Sequence, residues 1–345
     1  MNLKLTVVDQ TPVHGSHAAV EAPQLSVQLA QTCDTLGYHR YWVAEHHDSV
    51  HFANPSPEIL LTRIASATQN LRVGSGGVML SHYSPYKVAE CFRMLATLFP
   101  GRIDLGIGRA PGGSGMTSAA LAYPRQPSHG DHYPQQARDL KWFLDGDMPA
   151  THPFSQLHVL PDDDPTPETW MLGSGGGGAG LAGQLGYHLA LARFIAPDRC
   201  SPTIFDAHRA KWTEAGHEGT PKCMLAIGCI CADTEEEARF IAGTAVYRKL
   251  MMDRGVAVPF LPPAQVRDAY QKLPRSQQAS FDHILDGYTV GTSEQCLNDM
   301  QRLSKQFGTN EIGLVTVTYD FNDRMRSYRL LAEENESNDR MAATG

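Results

Sequence analysis

Eight short apolar runs, each followed by a stretch with helical spacing, dominate the 345-residue sequence. The runs are residues 3–8 (LKLTVV), 41–44 (YWVA), 71–79 (LRVGSGGVM), 102–107 (RIDLGI), 169–172 (TWML), 189–194 (LALARF), 224–230 (MLAIGCI) and 311–318 (EIGLVTVT). Apolar residues fill consecutive positions in them, as in parallel strands buried on both faces. The spacing predicts helices over 22–36, 57–69, 85–99, 181–186, 202–215, 234–252, 293–307 and 324–334. Pro57 and Pro85 stand where a first helical turn tolerates proline, and Gly37 where a helix stops. Eight strands alternating with helices point to the α/β class and to a (β/α)8 TIM barrel with insertion segments.

The alternation breaks twice, at about 108–167 and 255–290. The first stretch holds PGGSG, several prolines and DDDP, with one legible helix from Tyr133 to Leu144; the second is rich in Pro and Gln. Excursions of this length are usually functional. No linker divides the chain, so residues 1–345 read as one domain carrying two insertions.

Composition narrows the function. With 29 basic against 37 acidic residues the net charge is −8, and no Lys/Arg cluster suggests nucleic acid or an anionic membrane as partner. No apolar run reaches the roughly 18 residues of a membrane span. Seven scattered cysteines, an odd number, suggest reduced thiols and a cytoplasmic location. Cys223, Cys229 and Cys231 lack the paired spacing of a zinc site and read as core thiols. Asp162, Asp163 and Asp164 read as a solvated turn.

In such a barrel the C-terminal strand ends carry the chemistry. The second run ends in Glu45-His46-His47, with His51 close behind. Two adjacent histidines on a strand point to opposite sides, so a metal site would need a turn. A single catalytic histidine, a metal site and a structural role all stay open. Gly74, Gly76 and Gly77 on the third run suggest either close approach of a flat ligand or a tight bend. Arg109 after the fourth can pair with a phosphate or carboxylate, or form a surface ion pair. Gly173, Gly175 and Gly178 formally spell G-x-G-x-x-G, but at the fifth strand instead of the first. That placement favours a mononucleotide phosphate over a dinucleotide, with a flexible loop as the alternative.

Residues 38–47 (YHRYWVAEHH), 72–80 (RVGSGGVML) and 100–112 (PGRIDLGIGRAPG), together with 291–295 (GTSEQ) and 311–319, resemble the bacterial luciferase-like flavin monooxygenases over nearly the whole chain. The resemblance implies a TIM barrel that binds FMN, as reduced flavin delivered by a separate flavin reductase. It implies use of O2 to insert one oxygen atom into a small-molecule substrate. His46 matches a family histidine acting in proton transfer near the flavin. Gly76-Gly77 matches a non-proline cis peptide under the flavin ring, and Arg109 an arginine near the flavin phosphate. Ser174, Gly175 and Gly178 fall on the family's phosphate loop, and His129 with Tyr133 resembles a His-x3-Tyr pair of some relatives. Where the family loop commonly carries hydroxyl residues this chain has Gly176-Gly177-Gly178, which implies weaker flavin binding.

The alternatives are a dehydrogenase using F420 or flavin on the same barrel, a non-catalytic flavin-binding subunit, and a metal-dependent hydrolase using His46, His47 and His51. Family members often form homo-oligomers.

Overall fold

The structure, a computed structural model, describes residues 3–15, 17–127, 132–160 and 165–344. The strands are β1 (Lys4–Asp9), β2 (Arg40–Val43), β3 (Arg72–Ser75), β4 (Val78–Met79), β5 (Ile103–Gly108), β6 (Glu168–Gly173), β7 (His188–Ala192), β8 (Cys223–Cys231), β9 (Thr289–Gly291) and β10 (Glu311–Val315). All named ladders are parallel, and β10 pairs with both β1 and β8, so the sheet closes into an eight-stranded (β/α)8 barrel. β4 continues the third stave beyond Gly76-Gly77, and β9 pairs only with the far end of β8. Each of the eight apolar runs therefore holds one stave.

Around the strands run α1 (Ala22–Thr35), α2 (Pro57–Ala67), α3 (Pro85–Leu98), α4 (Gly115–Ala122), α5 (Tyr133–Asp145), α6 (Ala179–Leu185), α7 (Thr203–Glu214), α8 (Glu235–Asp253), α9 (Pro263–Lys272), α10 (Arg275–Asp286), α11 (Ser293–Phe307) and α12 (Phe321–Thr344). Three of them, α4, α9 and α10, lie in the two excursions and were not legible. Their spacing is masked by Gly, Pro and Gln, and each buries little: α4 has no buried residue, α9 only Val266 and α10 only Phe281 and Leu285. The GTSEQ stretch proves to be a helix start. Thr292 Oγ1 accepts from Gln295 N and the Gln295 side chain accepts from Thr292 N, a capping box that satisfies two N-terminal amides of α11. No helix among the described residues is long and apolar enough to cross a membrane.

A period of two sorts the strand residues. Leu5, Val7, Tyr41, Val43, Leu105, Ile107, Leu225, Ile227 and Leu314 face outward into the main core shared with the helices. Val8, Trp42, Trp170, Ala190, Met224, Ala226 and Val315 form a second core inside the barrel. Trp42 and Trp170 meet edge-to-face at 5.2 Å, filling space beside the small residues. Cys223, Cys229 and Cys231 are buried and free, as core thiols are. The Asp162–Asp164 turn lies outside the described residues.

The N-terminal strand ends are closed by charge. Arg40, at the start of β2, places Nη1 2.8 Å from Asp104 Oδ2 and 2.8 Å from Glu168 Oε1, with Nε 2.7 Å from Glu311 Oε1. Arg72 also pairs with Asp104, and Lys222 with Glu168. Thr6 donates to Glu311, and the two indoles donate to Asp104 and Glu168. A second buried pair, Arg324 to Asp9 at 2.6 Å, ties α12 to β1, with Tyr41 donating to the same carboxylate.

Acid should loosen this fold within a defined window. His14, His39, His46 and His188 are each drawn from an ordinary value of 6.5 down to about 4, chiefly because burial disfavours the charged ring. The unfolded chain then binds more protons than the folded one between those values. Stability is complete above pH 6.5 and falls as the pH drops toward 4, by at most about 1.4 kcal/mol per pH unit for each histidine. Water reaching the part-exposed rings lowers that figure. Urea unfolding followed from pH 8 to pH 4 should be flat at first and then decline. A midpoint unchanged down to pH 4.5 would rule the account out.

Candidate active site

The C-terminal strand ends form the opposite mouth. β2 stops at Val43, and the next residues leave the strand: His46 N donates to Asn54 O, and Asn54 Nδ2 donates back to Ala44 O. This loop is stitched to the β1–α1 segment by Val13 N to His51 O and Ala53 N to Thr11 O. The two loops together make one rim.

The histidines of this loop diverge. The His46 ring lies 4.6 Å from that of Phe52, facing the mouth, and its Nδ1 is buried with no hydrogen-bond partner. Burial first, then the charge of Arg248 and the neighbouring His47, draw it down to about 4, so the ring is neutral at pH 7. His47 turns the other way, with Nε2 2.6 Å from Glu45 Oε1. Glu45, 1 % exposed, also accepts from Tyr83 Oη at 2.7 Å and Met79 N at 3.0 Å. Burial and then Glu45 push the Tyr83 phenol upward, so it stays protonated as a donor. His51 places Nε2 2.5 Å from Val258 O, at the second excursion. The three rings share no centre, and among the described residues no group of His, Cys, Asp or Glu could hold a metal ion.

Beneath the mouth the Gly76-Gly77 peptide is cis. A methyl group on Gly77 would sit 2.7 Å from Gly106 O, and one on Gly76 3.2 Å from Trp42 Cβ. A side chain at Gly77 is thus excluded by backbone, and one at Gly76 would crowd Trp42. Arg109, just after β5, is exposed, and among the described residues no carboxylate pairs with it. Tyr133 opens α5; its ring is buried, its hydroxyl has no hydrogen-bond partner among the described residues, and it lies within electrostatic reach of Arg109. His129 lies outside the described residues. On the turn after β6, Gly175 is extended, Gly176–Gly178 forms a single 3-10 turn, and α6 follows. Methyl groups added at Gly175 or Gly177 would meet nothing within 4 Å, so this turn is open, and Ser174 beside it is half-buried.

The family model described as luciferase-like monooxygenase matches residues 3–311. The chain belongs to the luciferase-like monooxygenase family. Its relatives include YwcH of Bacillus subtilis (strain 168), 39 % identical over 96 % of this chain and 98 % of that protein. The N-acetyl-S-alkylcysteine monooxygenase of the same organism is 33 % identical over 96 % of this chain and 98 % of its own length. Among solved structures, apo-MsnO8 is 36 % identical, with a TM-score of 0.85 over 97 % of this chain and 98 % of that one. Structures that share the fold at 17 % identity and a TM-score of 0.69 include a diketocamphane monooxygenase in complex with FMN and an F420-dependent secondary alcohol dehydrogenase.

For a member of the luciferase-like monooxygenase family, three mouth residues escaped sequence reasoning. Tyr83 lies beyond the third run and meets Glu45 only through the fold. Phe260 belongs to the second excursion, where apolar residues are sparse. Arg248 sits mid-helix in α8, where a basic residue ordinarily faces water; only the fold turns it toward Phe52 and Phe260, 5.0 Å and 5.8 Å from their ring centres.

Proposed function

We propose that this protein is an FMN-dependent monooxygenase of the two-component type, acting in the cytoplasm on a small organic substrate with O2. The carrying observation is His46, a neutral imidazole with a buried, unpartnered Nδ1, at the rim above a glycine floor with little room for side chains. Buried polar atoms are almost always satisfied, and an orphan at a barrel mouth is a place for a ligand. Tyr133 Oη is a second such orphan, next to the unpaired Arg109.

These residues fit a flavin mononucleotide. Gly76 and Gly77 would lie against the planar ring, and Ser174, Gly175 and Gly178 would bind the phosphate with Arg109, Tyr133 and His129. When bound, reduced flavin supplies the two electrons that reduce O2, one oxygen atom going to the substrate and the other to water. His46 then accepts a proton or holds one at Nδ1, according to tautomer. Glu45, His47 and Tyr83 fix the loop that carries it. The apolar walls of the mouth exclude water. A separate reductase delivers the flavin, and a turn so poor in hydroxyls fits a cofactor that comes and goes. The chain acts as one unit with both excursions, as a homo-oligomer.

The same turn also suits the deazaflavin F420, the cofactor of the second reading, a dehydrogenase. Anaerobic titration with reduced FMN and with F420, followed by admission of air, separates the two. Binding of reduced FMN and O2 uptake are expected; F420 binding alone would transfer the protein to the dehydrogenases. Binding of neither would remove both readings.

A further inference from the structure

Arg248 is a half-buried cation, and among the described residues it has no counter-ion. Its Nε is enclosed without a hydrogen-bond partner, and among the described residues its one hydrogen-bond contact is Nη1 to Met252 Sδ at 3.6 Å, on the exposed side. Asp253, the acid that attracts it, is paired with Lys249 at 3.1 Å, and among the described residues no carboxylate lies within ion-pair distance of the guanidinium. Around it stand Phe52, Phe260 and the Tyr288 ring, and its charge reaches both His46 and His51.

A guanidinium partly withdrawn from water, with its Nε unpartnered, carries a cost that stacking on two rings offsets only in part. Its planar fork of donors matches a carboxylate in a bidentate fashion. The rings beside Arg248 belong to an aromatic and aliphatic cluster that includes Phe52, Phe260, Tyr288, Val317 and Phe194. The glycine turn and Arg109 follow β6 and β5, whereas Arg248 follows β8, so the mouth offers two separate places for an anion.

We propose that Arg248 binds a carboxylate on an otherwise apolar substrate, orienting the molecule against the His46 side of the mouth. This rests on the oxidoreductase reading only in calling the ligand a substrate; the anion site itself does not depend on a flavin. The apolar body would lie along Phe52 and Phe260 while the acid group meets the guanidinium. Specificity then comes from a charge that neutral analogues leave unpaired.

The test uses the whole chain and matched probes: octanoate, benzoate and N-acetylmethionine, each beside its neutral amide, by calorimetry. At least one acid is expected to bind about tenfold or more tighter than its amide. That preference should vanish in Arg248→Gln and persist in Arg248→Lys, with circular dichroism confirming both variants folded. FMN is titrated beside riboflavin in the same proteins. If Arg248→Gln loses the preference for FMN over riboflavin, Arg248 serves the flavin phosphate and the proposal fails. It fails equally if no acid outbinds its amide, or if the preference survives in Arg248→Gln. Acid binding that depends on Arg248 in a protein that binds no flavin would keep this site and sink only the flavin reading.

Discussion

His46→Ala is expected to lower product formation by about 10²–10⁴-fold, the range for loss of a positioned acid–base group, with flavin affinity changed by less than about twofold. The ring lies tilted against Phe52 and the His46 N–H donates to Asn54 O, so removal of the ring leaves Gly76-Gly77 and the glycine turn after β6 in place. Single-turnover assays with preloaded reduced flavin read the chemistry, and flavin fluorescence reads the binding. The pH profile adds an independent check. Because burial holds this histidine near 4 instead of 6.5, kcat/KM should show no limb at pH 6.5 attributable to His46. Unchanged turnover in the alanine variant would remove His46 from the mechanism.

The second large effect lies at the other end of the barrel. Arg40→Leu should destabilise the fold by about 3–5 kcal/mol, the range for removing one partner from a buried ionic cluster. Asp104, Glu168 and Glu311 would then face one another without their shared cation, in a site where Arg40 is 1 % exposed. Burial alone already raises the Glu311 carboxyl, and loss of the guanidinium would raise it further. Urea unfolding at pH 7 should record the loss, and lower pH should partly rescue the variant as the acids become protonated. A change below about 1 kcal/mol would mean that water or the neighbouring Arg72 takes over the role.

Sequence reasoning reached the barrel because its evidence is local. Buried parallel strands read as apolar runs, and Pro or Gly marks where helices start and stop. Glycines 76 and 77 were legible because a side chain has little room there. The Arg40 cluster was not, since its members are 64, 128 and 271 positions away from Arg40 and none is unusual by itself. Arg248 escaped for the same reason: its neighbours Phe52 and Phe260 come from different loops. The helices α9 and α10 escaped because they pack on α8 through few residues, so little apolar periodicity is required of them. The GTSEQ stretch carried the resemblance while serving the fold, as the cap of α11.

The ionic floor and the mouth are separated by the two tryptophans. Substitutions more than about 7–10 Å apart with no shared partners usually contribute independently. The rim meets the ionic cluster through those indoles, so rim changes that leave Trp42 and Trp170 in place leave the cluster's own bonds untouched. On the proposed reading, changes at Phe52, Arg248 or Phe260 would alter what the mouth binds, while the Arg40 cluster keeps holding the opposite end of the barrel.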